Sequence, residues 1–249
     1  MTSAEQEKIV GAQPAGARDE QAAATAVREM FSAIAPRYDL LNHLLSMNVD
    51  RLWWRRAART FRHLLERPGA RVLDLCCGTG DMGLAVRRQS PNPQIVGADF
   101  AHPMLRLAAD KSLGKNFRVV EADALRLPLH DASFDLVVSA FGFRNLANYD
   151  AGLREIFRVL RPDGEVGILD FGEPRGVLGV LYGFYFRRVL PKVGTLISGV
   201  RGPYSYLPAS VERFPDPQEM LGRMRAAGFQ DASWTPYTFG IAGLYRGRK

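Results

Sequence analysis

Two rhythms of apolar residues alternate through the middle of this chain. The runs VLDL (72–75), QIVGAD (94–99), FRVVEAD (117–123), FDLVVSAF (134–141) and EVGILDF (165–171) have the length and composition of strands. Helix-like segments separate them, and strands alternating with helices predict a parallel, doubly wound sheet. RPDG at 161–164 predicts a turn just before the fifth strand. A helix at 217–227 and two strands near 229–235 and 238–245 close the chain. Upstream, Val27, Met30, Phe31 and Ile34 recur at helical spacing, and Pro36 ends that helix. The loop PRYDLLNHLLSMN then leads to RLWWRRAARTFR (51–62). On a helix, Arg51, Arg55, Arg59 and Arg62 share one face, while Trp54, Ala58, Phe61 and Leu65 share another.

The rhythm breaks at GVLGVLYGFYFRRVLPKVGTLISGV (176–200). Arg187, Arg188, Pro191 and Lys192 interrupt it, so it is too broken to span a bilayer. It predicts a cap insertion, about residues 174–214, that folds over the sheet's carboxyl edge or rests on a membrane. A chain of 249 residues supports one sizeable core, expected over 25–249 after a flexible tail at 1–24. That tail has charges of both signs and no apolar centre, unlike a secretory signal. Cys76 and Cys77 are adjacent, which suits small packing residues in a reducing cytoplasm better than a disulfide or zinc site. The net charge of +7 invites an anionic partner. The arginine cluster at 51–62 reads either as a solvated face or as a contact with lipid head groups, each worth about 1 kcal/mol per basic residue.

The richest chemistry lies in VLDLCCGTGDMG (72–83). Gly78-Thr79-Gly80-Asp81-Met82-Gly83 fits the pattern GxGxxG, and Asp99 ends the next strand. A dinucleotide site has these parts: amides for a pyrophosphate and a carboxylate for ribose hydroxyls. Asp74, just ahead of the turn, would oppose a pyrophosphate and suits a cationic ligand. Asp123 and Ala124, ending the third strand, can serve an adenine ring.

Together these residues resemble the class I S-adenosylmethionine-dependent methyltransferases. That likeness implies a Rossmann-like α/β fold whose seven-stranded, mostly parallel sheet has its last strand antiparallel. It also implies that Gly78, Thr79 and Gly80 line the methionine moiety beside Asp74, that Asp99 holds the ribose, and that Asp123 with Ala124 borders the adenine. The flanks FSAIAPRYDLLNHLLSMNVDRLWWRRA, FGFRNLANYDAGLREIFRVLRPDG, VLPKVG…YSYLPASVERFP and TFGIAGLYRG resemble the ubiquinone/menaquinone biosynthesis C-methyltransferases over about residues 27–248. CCG and Ala140 depart from the common pattern, and the first variant is also similar to phylloquinone-pathway enzymes.

The resemblance implies methyl transfer from S-adenosylmethionine to a ring carbon of demethylmenaquinol, giving menaquinol. A demethylphylloquinol or ubiquinol precursor is the neighbouring alternative. An RNA methyltransferase, a non-catalytic cofactor-binding module and an NAD-dependent dehydrogenase are alternatives of other classes. The expected acceptor site gathers Tyr38, Asp39, Asn42, Arg144 and Asn145, with Asp39 as proton acceptor and Arg144 as phenolate partner. Asp39 could instead cap a helix starting at Leu40, and Arg144 could be a surface ion-pair partner. His43 lies beside Asn42, where a packed or exposed role is the plainer expectation. Tyr182, Phe184, Tyr185, Phe186 and Val189 are expected to line a channel for the prenyl chain, or else to pack within the cap or a dimer contact. No nucleic-acid partner and no metal are expected. Peripheral contact with the inner face of a membrane, and a homo-oligomer, stay open.

Overall fold

The short apolar runs become strands because neighbours on both sides take up their backbone hydrogen bonds. The computed structural model describes residues 10–40, 46, 48–172, 174, 179, 183, 185, 188 and 203–249. In it β1 (Arg71–Leu75) pairs in parallel with β2 (Gln94–Asp99) and with β4 (Phe134–Ala140). β3 (Phe117–Glu121) extends the β2 side and β5 (Leu160–Phe171) the β4 side. Of the closing strands β6 (Gln230–Tyr237) and β7 (Ala242–Arg248), β7 inserts between β5 and β6, antiparallel to both. The seven-stranded order is β3-β2-β1-β4-β5-β7-β6, as the expected fold class requires.

The helices are α1 (Glu20–Ile34), α2 (Val49–Thr60), α3 (Arg62–Leu65), α4 (Asp81–Gln89), α5 (His102–Ser112), α6 (Tyr149–Val159), α7 (Pro203–Arg213) and α8 (Pro217–Ala226). Alternation along each strand feeds two cores. Val72, Leu136 and Val138 pack with Trp54, Ala58, Phe61 and Leu65 of the arginine-bearing segment and with Leu84 and Val86 of α4. Leu73, Val137 and Val166 face the opposite layer, with Leu153 and Ile156 of α6 and Met220 and Met224 of α8. Each fully buried side chain of this kind contributes about 1.5–3 kcal/mol. The two faces of α2 separate as the spacing predicts: Arg51, Arg55 and Arg59 are exposed, whereas Trp54, Ala58 and Phe61 are buried.

Several boundaries differ from the sequence reading. α1 begins at Glu20, where the Asp19 carboxylate accepts from the Ala22 amide at 2.7 Å, so the tail is shorter than 24 residues. Ahead of it Ala12 is buried and donates its amide to the Leu146 carbonyl at 2.7 Å. RPDG lies inside β5 as a bulge: pairing jumps from Phe134–Leu160 to Leu136–Glu165, and Asp163 turns at φ 61°. β3 stops at Glu121, leaving Asp123 in a tight turn. Asn42, His43, Tyr182, Phe184, Phe186 and Val189 lie outside the described residues.

Strand order reverses between β1 and β4, so a crevice opens where their carboxyl ends diverge. Below it the two following loops touch: a Cβ on Gly142 would sit 2.4 Å from the Cβ of Cys76. Gly142→Ala should therefore destabilise the fold by about 1–3 kcal/mol through overpacking. Gly222→Ala in α8, where a Cβ meets nothing within 4 Å, should stabilise it by about 0.5–1 kcal/mol. Urea titrations of the two variants check the contrast.

Candidate functional site

After β1 the backbone turns sharply. Cys76 (φ 54°), Gly78 (φ 53°) and Gly80 (φ 85°) all adopt left-handed angles. The Cys77 amide bonds to the Ala98 carbonyl at 3.0 Å, the Gly80 amide to the Cys77 carbonyl at 2.8 Å, and α4 begins at Asp81. Two buried carboxylates brace this turn. Asp99 Oδ2 accepts from the Gly78 amide at 2.8 Å and Oδ1 from the Ala101 amide at 2.9 Å. Burial pushes the Asp99 carboxyl up, against the backbone amides that pull it down.

Asp74 is wholly buried; Oδ2 accepts from the Gly83 amide at 2.7 Å, and Oδ1 has no hydrogen-bond partner among the described residues. Desolvation raises its pKa from 3.8 to about 8. Burial likewise pushes both neighbouring thiols, Cys76 and Cys77, well up, which keeps them protonated and unreactive.

Above the turn lies a crevice enclosing about 1010 Å³ of empty space, its open mouth included. Asp74, Gly78, Thr79, Asp99, Asp123 and Ala124 line it, as do Tyr38 and Asn145. Gly80 shapes the turn without lining the cavity. The polar character is one-sided: Asp74, Asp81, Asp99 and Asp123 border the space, and no described lining residue is basic. In a chain of net charge +7 this is an acidic pocket suited to a cation.

α1 forms the outer wall through Ala24, Val27 and Phe31. It is fixed by Glu20, which accepts from Asn148 Nδ2 at 2.8 Å, and by an exposed Arg28–Glu121 pair at 3.1 Å. Phe141 of the lining clusters with Trp53 and Phe171 behind it; the Phe141 and Phe171 ring centroids are 4.5 Å apart, and Trp53 lies 5.8 Å from Phe141. Asn145 is buried there with Oδ1 unpartnered among the described residues, while its amide nitrogen reaches the Phe141 carbonyl at 3.4 Å.

Two expected acceptor residues stand elsewhere. Asp39 is not among the lining residues. Its carboxylate meets Lys111 Nζ at 2.7 Å and accepts from the Thr79 hydroxyl at 2.5 Å, while Lys111 also contacts Asp81 at 3.0 Å. Residues 38–40 are helical, so Asp39 does not act as the cap before Leu40.

Arg144 is neither a surface residue nor a lining one. It is 5% exposed and donates from its backbone amide and from Nη1 to the two oxygens of the wholly buried Asp170, both at 3.0 Å. Nε reaches Ser210 Oγ of α7 at 3.3 Å, and the guanidinium lies over the Phe171 ring. Burial pushes the Asp170 carboxyl up and Arg144 pulls it down. Sequence reasoning missed Asp170 and Lys111. A lone carboxylate in the apolar run GILDF was a usable signal for the first, and nothing local marks the second.

The profile of the ubiE/COQ5 methyltransferase family matches residues 18–249. A demethylmenaquinone methyltransferase of Deinococcus radiodurans is 49% identical, over 93% of this chain and 95% of its own length. Another from Thermus thermophilus is 49% identical over 88% of this chain and 99% of its own. A ubiquinone/menaquinone biosynthesis C-methyltransferase of Geobacter sulfurreducens is 45% identical over 90% and 88% respectively. Among solved structures, the [4+2]-cyclase SpnF superposes with a TM-score of 0.67 at 18% identity, covering 96% of this chain and 98% of the cyclase. An S-adenosylmethionine-dependent methyltransferase of Thermotoga maritima gives 0.63 at 19% identity, covering 89% and 99%. A cyclase and a methyltransferase on one fold show that the fold alone does not choose the reaction.

Arg144→Ala would leave the Asp170 charge buried without its cation and should cost about 3–5 kcal/mol in denaturant titrations. Asp74 governs a pH effect. Between the ordinary carboxylate value of 3.8 and about 8 the folded protein holds a proton that the unfolded chain has released. Stability without ligand should therefore fall as pH rises through that window. Asp74→Asn should flatten the slope, as thermal melts across the range would show.

Proposed function

Since the chain belongs to the ubiE/COQ5 methyltransferase family, we propose that its methyl acceptor is demethylmenaquinol, methylated at a ring carbon to give menaquinol. The donor is S-adenosylmethionine, which supplies an electrophilic methyl group on a cationic sulfur. The observation that carries the site assignment is the acidic crevice with its orphaned, buried Asp74 oxygen. A dinucleotide pyrophosphate would face repulsion there, whereas a cation restores the charge on Asp74 and gives Oδ1 a partner. In this reading Asp74 and the Gly78–Gly80 turn, with Thr79, hold the methionine moiety. Asp99 holds the ribose hydroxyls, and Asp123 and Ala124 border the adenine.

The acceptor requires an electron-rich carbon. A phenol of pKa about 10 is ionised to roughly one part in a thousand at pH 7, a deficit of about 4 kcal/mol. Asn145 Oδ1, buried and unpartnered among the described residues, accepts a hydrogen bond from the ring hydroxyl and increases electron density on the ring. Tyr38 contacts the other side of the head group. Asp39, paired with Lys111, positions Tyr38 beside the glycine turn. Arg144, paired with Asp170, positions Asn145 at the end of β4. Alignment of donor and acceptor within the walled crevice supplies the remaining acceleration. The polyprenyl acceptor brings the protein to a membrane surface, and among the described residues no helix is long and apolar enough to cross one.

Mass spectrometry after incubation with methyl-labelled S-adenosylmethionine should place the label on demethylmenaquinol. Label on offered RNA and none on the quinol would reject the reading. Asp99→Ala should weaken donor binding by about 10- to 100-fold, the equivalent of charge-assisted hydrogen bonds of about 1.5–3 kcal/mol. Calorimetry measures it, and unchanged affinity would remove Asp99 from the ribose site.

A further inference from the structure

The described residues expose four large apolar side chains, Leu40, Leu52, Leu113 and Phe239. Two of them each adjoin, in sequence, one partner of the same hydrogen bond. Trp53 Nε1 donates to Thr238 Oγ1 at 2.8 Å, so Leu52 (61% exposed) and Phe239 (83% exposed) flank a single hydrogen bond. Thr238 and Phe239 both hold left-handed backbone angles, φ 46° and 57°, which residues with side chains seldom adopt. The turn thus projects the Phe239 ring into solvent.

The position of this pair matters. β6 runs parallel to the strands that end at the crevice, so the Thr238–Gly240 turn after it lies on the same edge of the sheet. The turn holds Trp53 through Thr238, and from Trp53 an aromatic contact leads inward to Phe141, which lines the crevice. The flank is basic. α2 carries four arginines against one aspartate, and Arg51, Arg55 and Arg59 are exposed with no ion-pair partner among the described residues. Exposed apolar tips ringed by unpaired cations complement an anionic lipid surface, where acyl chains receive the tips and phosphates receive the guanidinium groups. An RNA or an acidic protein would account for the arginines and leave Phe239 unexplained.

We propose that Leu52 and Phe239, flanked by Arg51, Arg55 and Arg59, dock the protein on an anionic bilayer with the crevice mouth turned toward the lipid. This surface deepens the quinol reading and rests on it for its purpose, since an insoluble acceptor would then pass from bilayer to crevice along Trp53 and Phe141.

The test sediments the full chain with vesicles of phosphatidylcholine alone, or with about one third phosphatidylglycerol. Binding is expected to the anionic vesicles and to weaken with salt. Arg55→Gln should lower partitioning about fivefold. Leu52→Ser with Phe239→Ser should lower it at least about tenfold. Methyl transfer to a soluble, short-chain demethylmenaquinol should stay at the wild-type rate in these variants, which also shows that they fold. Failure of the wild type to bind anionic vesicles, or undiminished binding by the serine double variant, overturns the proposal. RNA binding that persists in the double variant, with no vesicle binding, reassigns the basic face and overturns it equally. Vesicle binding without quinol methylation would sink the proposed acceptor and leave the docking surface standing.

Discussion

A carboxyl group buried beside the crevice, with one oxygen bonded and the other without a partner among the described residues, constrains the glycine-turn side of this molecule. Asp74 can be tolerated in the interior as a neutral acid or as an anion facing a cation, and in no other way. Its bonded oxygen explains much of the local build. It holds the Gly83 amide, and α4 can come that close because Gly83 has no side chain: a Cβ there would meet Asp74 Oδ2 at 3.0 Å and the Phe117 ring at 2.6 Å. The same packing draws β1, α4 and β3 together, and the open oxygen faces the crevice that their meeting creates. In the proposed function, donor recognition and the packing of the central sheet thus share one side chain.

Most of the fold was legible from the chain because period and position agreed. β2 appears where its apolar run predicts, and α2 buries the tryptophan face that the spacing selects. The glycine turn with Asp74 was also readable, since neighbouring residues on one strand–turn–helix unit encode it, and Asp99 was readable as the carboxylate that ends the next strand. What could not be read depends on partners far apart in sequence. Nothing near Asp39 in the chain marks its partner Lys111, on α5. Nothing near Arg144 marks Asp170, at the end of β5, which accepts from both its amide and its guanidinium. The RPDG turn is a similar case: strand pairing with β4 and β7 absorbed a turn signal into a bulge.

The side assigned to the acceptor in the proposed function follows a different logic. Its polar groups are spent on one another, in the Arg144–Asp170–Ser210 and Asp39–Lys111–Thr79 sets, and Asn145 alone among the expected residues keeps an oxygen unengaged within the described structure. Around it are aromatic rings. Such a surface suits a flat, lipophilic ring, which it would hold by contact and direct with few hydrogen bonds, as small-molecule pockets commonly do.

The outer wall contributed by α1 carries a kinetic consequence. Its Val27 and Phe31 line the crevice, and the chain on either side of it is fastened through Ala12 to Leu146 and through Asp39 to Thr79 of the glycine turn. A nucleotide leaving on the α1 side would have to part this apolar stripe from the crevice, whereas one leaving by the open mouth would not, so the strap biases the route of exchange toward the mouth.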